Sequence, residues 1–109
     1  MSNNKNHNER ARLIALKPEM LGLTKIVLAT TEVNLFHRGK IISQPDNLLF
    51  DSSTKILYNI EYKCHDNKNQ SRRAQYQLNK ANLLLKSIFR DFKITNLYIH
   101  DDYRIEVIK

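Results

Sequence analysis

The chain has 109 residues, two glycines, two prolines and one cysteine, and its 18 Lys and Arg against 11 Asp and Glu give a formal charge of +7. That length supports one modest core and excludes a core plus a second substrate domain, so any function must sit on one sheet-and-helix unit. The charge favours a polyanionic partner; the single Cys64 excludes an intrachain disulfide and makes the cytoplasm the expected compartment; no apolar run approaches the roughly 18 residues of a membrane span, so no membrane partner is expected.

Met1 to Asn8 has almost no apolar surface to bury and reads as a flexible leader, followed by one domain over residues 9–109. From Glu9 to Leu16 good helix formers carry Leu13, Ile14 and Leu16 toward a core until Pro18 interrupts. Pro18 can itself open a second helix running to Ala29, with Met20, Leu23, Val27 and Leu28 at helical spacing; the competing reading is a strand over Lys25 to Thr30.

β-type segments follow at Glu32 to His37, Lys40 to Ser43 and Asp46 to Phe50. The polar cluster Asp51 to Thr54 is a turn by composition, and Ile56 to Cys64 alternates as a long strand. A helix is expected next, because Ala74, Leu78, Ala81, Leu85, Ile88 and Phe92 recur at spacings of 3 and 4. Short strands at Asn96 to His100 and Arg104 to Ile108 close an α/β domain, a mixed sheet of about four to five strands flanked by helices.

The chemistry concentrates between Gln44 and Cys64. Pro45-Asp46 stands at the mouth of one strand and Glu61-Tyr62-Lys63 near the end of the next, and the intervening turn returns these ends to each other. The two-residue period sets Glu61 and Lys63 on one face and Tyr62 on the other. Two neighbouring carboxylates repel unless a divalent cation lies between them, and oxygen ligation with open positions suits Mg²⁺ or Mn²⁺. The backbone carbonyl of Tyr62 is a further candidate ligand, and Lys63 can orient a water and stabilise charge on a phosphate.

These residues and their order resemble the PD-(D/E)xK nuclease superfamily, which includes archaeal Holliday junction resolvases and many restriction enzymes. The match comprises Pro45-Asp46 and Glu61-Tyr62-Lys63, within the succession helix, strand, PD strand, ExK strand, helix, strand. The resemblance implies a restriction-endonuclease-like core, metal binding by Asp46 and Glu61, and a catalytic Lys63. It also implies a further acid before the first strand, for which Glu19 stands in place with Glu9 and Glu32 competing. Finally it implies a glutamine on the following helix, met by Gln77 with Gln75 as rival. The expected activity is metal-dependent, structure-selective hydrolysis of DNA by a homodimer.

An ExK pair in a strand is commonly a solvated ion pair, but the apolar flanks Ile56, Leu57, Ile60 and Tyr62 argue that Glu61 is half-buried, where a charge needs a cation. Lys68, Arg72, Arg73 and Lys80 follow directly and form a basic helix face suited to DNA phosphates, or to those of RNA. His7, His37, His65 and His100 show no paired metal-ligand spacing, and Cys64 reads as a core residue. The contending function is a non-catalytic nucleic-acid-binding module, separable from the nuclease by its indifference to metal.

Overall fold

The computed structural model describes residues 2–109, with side chains from Asn6 onward. A five-stranded mixed sheet carries one long helix on each face. Helix α1 (Ser2–Leu16) is followed by a 3-10 turn (Pro18–Leu21), β1 (Leu28–Thr31), β2 (Leu35–His37), β3 (Lys40–Ser43), β4 (Asn47–Asp51), β5 (Ile56–Lys63), α2 (Lys68–Ile88), β6 (Lys93–His100) and β7 (Arg104–Ile108). The sheet order is β1-β4-β5-β6-β7, while β2 and β3 form a separate two-stranded ribbon. All neighbouring pairs are antiparallel except β5 and β6, which α2 joins as a parallel pair.

Alternation along β5 divides the core. Ile60 and Tyr62 pack with Ile14, Leu49, Leu97 and Ile99 on the α1 face, whereas Leu57 packs with Leu48, Phe50, Ala81 and Leu85 on the α2 face. Burying a side chain of the Leu85 kind contributes about 1.5–3 kcal/mol, so this two-sided packing holds β5 in a fixed register. Its polar members then have fixed positions: Asn59, fully buried, donates to the Leu78 carbonyl at 3.2 Å and to Asn96 Oδ1 at 2.9 Å.

Several expectations change. The leader is helical, since α1 begins at Ser2 rather than at Glu9; the asparagine-rich turn is a weak helix former alone, and contacts made by His7 and Arg10 with β5 supply what propensity lacks. The second helix is only the 3-10 turn. Gly22, at φ +80°, closes it with its N–H on the Glu19 carbonyl at 2.9 Å, and the β-branched run beyond enters the sheet as β1. Leu16, Val27 and Leu28 are exposed.

Four of the six predicted positions of α2, Ala74, Leu78, Ala81 and Leu85, are buried. Ile88 is exposed, and Phe92 lies beyond the helix, packing edge-on against Phe50 at 5.7 Å. No helix among the described residues is long and apolar enough to cross a membrane.

Candidate active site

The backbone around Pro45 decides what the Asp46 carboxylate meets. The Pro45 carbonyl accepts from the Val33 N–H at 3.3 Å and β4 begins only at Asn47, so the Tyr62 N–H at this end of the hairpin is taken by the Asp46 carboxylate at 2.7 Å. The Asp46 backbone is held from both sides, donating to Ile60 at 3.2 Å and accepting from Glu32 at 3.2 Å. Glu61 and Lys63 extend from the same face of β5, with Lys63 Nζ 3.5 Å from Glu61 Oε2.

These groups line a cleft of about 500 Å³ together with His7, Glu32, Asn34, Gln44 and Gln77. Glu61 is more deeply placed than its sequence suggested, at 4 % exposure. Burial, then the negative charge of Asp46, push its pKa up to about 8 against the opposing pull of Lys63 and His7. Gln77 Oε1, also buried, has no hydrogen-bond partner.

His7 is the residue that sequence reasoning passed over. Its Nε2 lies 2.9 Å from the Tyr62 carbonyl oxygen and 3.4 Å from Asp46 Oδ2. The Asp46 hydrogen bond is the main cause that raises its pKa to about 9, against the effect of burial. The spacing His7, Ala11, Ile14 would have disclosed this face had the helix been extended through the leader. Arg10, one turn on, donates to the Tyr62 hydroxyl at 3.2 Å and to the Asp101 carbonyl at 3.1 Å, fixing α1 to the sheet.

Among the competing acids, Glu32 lines the cleft. Glu19 is exposed on the 3-10 turn and Glu9 is exposed on α1; neither lines it. Glu32 meets Arg12 at 3.0 Å, an exposed pair. Of the two glutamines, Gln77 enters the cleft and Gln75 turns to Ser71 at 3.3 Å. Arg72, Arg73, Gln77 and Lys80 share an adjoining groove, whereas Lys68 lies beside Asp66 in a different hollow at the start of α2. His65 is exposed, 4.0 Å from Asp101, and Cys64 is partly buried at the strand end as expected.

A second cluster occupies the neighbouring strand. Lys63 pairs in register with His100, whose Nδ1 lies 2.7 Å from Asp101 Oδ2 and whose Nε2 lies 2.7 Å from Glu106 Oε2. Burial opposes charge on this ring, yet the two carboxylates outweigh it and its pKa is raised. Asp66, His100 and Glu106 offer ligand atoms within 4.8 Å of one another, a grouping that the spacing of the histidines in the sequence does not disclose. Comparisons of the chain with protein-family models, with curated proteins and with solved structures found no match.

Proposed function

We propose that this chain is a divalent-cation-dependent nuclease domain of the PD-(D/E)xK type that hydrolyses phosphodiester bonds in DNA. The observation that carries the reading is the buried Glu61 beside Asp46, with Lys63 on the same strand face. Buried carboxylates with a strongly raised pKa are costly and cluster where a ligand or reaction uses them. The succession α1, β1, β4, β5, α2, β6 agrees with the core order that the motif implies.

The donor set fits a hard cation with one borderline ligand. Asp46, Glu61 and the Tyr62 carbonyl supply oxygens, and His7 Nε2 is close enough to join them once deprotonated. Mg²⁺ or Mn²⁺ held by these residues would supply Lewis acidity toward a phosphoryl oxygen and a nearby water. The Tyr62 N–H keeps the Asp46 carboxylate oriented before any ligand arrives. Lys63 donates toward the phosphate, offsetting the charge that develops as the water oxygen attacks phosphorus and the sugar oxygen leaves. Gln77 Oε1, free of internal partners, accepts a hydrogen bond from that water and aligns it.

The test is cleavage of labelled duplex, single-stranded, flap and four-way-junction DNA with Mg²⁺ or Mn²⁺, by wild type, Glu61→Ala and Lys63→Ala. Loss of cleavage in both variants supports the site. Absence of cleavage by wild type on every substrate, with DNA binding indifferent to metal, overturns it. The second reading is a non-catalytic nucleic-acid-binding module; in its favour, His7 and Lys63 already place cations beside Asp46 and Glu61.

A further inference from the structure

The ribbon formed by β2 and β3 stands apart from the five-stranded sheet. Arg38 and Gly39, both at positive φ, make its two-residue turn, the geometry that matches the twist of a tight hairpin. Leu35 anchors its base in the core under α2, and Ile42 and Ser43 of β3 form one wall of a groove whose other wall is α2. The groove has a volume of about 480 Å³. Gln44 and Gln77 line both it and the cleft, so the two adjoin at these side chains.

The α2 wall presents Arg72, Arg73 and Lys80 with Tyr76 between them. Tyr76 is 66 % exposed, on the side of α2 away from the buried Ala74, Leu78, Ala81 and Leu85, and Lys80 Nζ lies 5.8 Å from its centroid. Among the described residues no carboxylate lines this groove, whereas Asp66 lines a separate hollow together with Lys68 and Arg72. A positive track interrupted by an aromatic face is the arrangement by which proteins hold unpaired strands, cations following the phosphates while a base stacks on the ring. A base can stack in this way only where no partner strand covers it.

We infer that the groove between the β2–β3 ribbon and α2 binds an unpaired DNA strand, stacking a base on Tyr76 and leading the backbone past Gln77 into the Asp46–Glu61–Lys63 cleft. This rests on the nuclease reading for its direction of travel and names the substrate class as DNA with a single-stranded segment beside the scissile bond. Gln77 and Gln44, at the junction, are the contacts shared by the held strand and the reacting phosphate.

The test is fluorescence anisotropy in chelator, where no metal-dependent cleavage proceeds, with a labelled single strand, the blunt duplex of the same sequence and that duplex carrying a single-stranded tail. The single strand and tailed duplex are expected to bind about tenfold or more tighter than the blunt duplex. Tyr76→Ala should weaken the single strand roughly 5- to 100-fold while Tyr76→Phe stays near wild type. Arg72→Ala with Arg73→Ala should lower the salt dependence on every substrate. Equal affinity for blunt duplex and single strand, or an unchanged Tyr76→Ala, overturns the inference. A protein that shows the preference yet never cleaves keeps the groove and loses only the nuclease reading; one that cleaves blunt duplex as readily as tailed duplex loses only the groove.

Discussion

Two groups of ionisable side chains end the adjacent strands β5 and β6, and their charges are met in opposite ways. Around His100 each ring nitrogen has a carboxylate at 2.7 Å, and Tyr98 donates to Asp66 at 2.8 Å. Around Glu61, Lys63 at 3.5 Å is the ion-pair partner, Asp46 repels, and Gln77 Oε1 has no hydrogen-bond partner among the described residues. Buried polar groups are ordinarily satisfied, so the first cluster reads as bonding that holds β6 to β7, and the second as an arrangement completed from outside.

The sharpest way to break this contrast is kinetic. Lys63→Ala should lower cleavage of the preferred DNA by about 10²- to 10³-fold at saturating Mg²⁺, while His100→Gln should change it by less than about tenfold; similar losses in both would mean that the clusters form one site.

The pH dependence of stability sharpens it further. Glu61 has its folded pKa raised from 4.5 to about 8, so its charge opposes folding and stability without metal falls as pH rises across that interval. His7, raised from 6.5 to about 9, adds stability that is full below 6.5 and lost as pH climbs through 9. Both slopes have the same sign. Urea denaturation in chelator between these limits should show the decline, Glu61→Gln should flatten its lower part, and Mg²⁺ should stabilise wild type more than Glu61→Gln. A flat wild-type profile would remove the buried charge from the account.

At the other cluster the loss is in folding rather than turnover: His100→Gln should cost about 1–3 kcal/mol in urea denaturation at neutral pH, because it leaves Asp101 or Glu106 without its bond. The smallest effect is expected at Glu32→Ala. Its pair with Arg12 is exposed on both sides and contributes less than about 1 kcal/mol; a larger loss in the same denaturation would show that Glu32 does more than rim the cleft.

The elements with a clean period were legible. The strands at β3, β5 and β7 and the long α2 followed from alternation or from 3- and 4-residue spacing, and Asp46, Glu61 and Lys63 followed because one hairpin holds them all. The rest depends on contacts distant in sequence. Nothing local marks Ser2 to Asn8 as helix, since what stabilises it is β5 and the turn at Asp101. The segment after Pro18 mixes helical spacing with β-branched residues, and pairing with β4 decides between them. His100 stood alone in the sequence because Glu106 reaches it only when β7 folds back on β6, and Asp66 only when β6 lies parallel beside β5.

The docking of α1 therefore sets a hierarchy within the cleft. Asp46 is held by the hairpin itself, through the Tyr62 N–H and the Ile60 carbonyl, whereas His7 is carried on α1, which is fixed to the sheet by Arg10 on Tyr62, by the Tyr103 hydroxyl on the Arg10 carbonyl at 3.1 Å, by Asn47 on the Ala11 carbonyl at 3.0 Å and by the buried Ile14. An opening that lifts α1 would withdraw the histidine and leave the aspartate where it is. The two halves of the candidate site are thus carried by different elements, which local unfolding could separate. Amide exchange at Tyr62 would report release of the Asp46 carboxylate, and exchange along α1 the detachment of its imidazole.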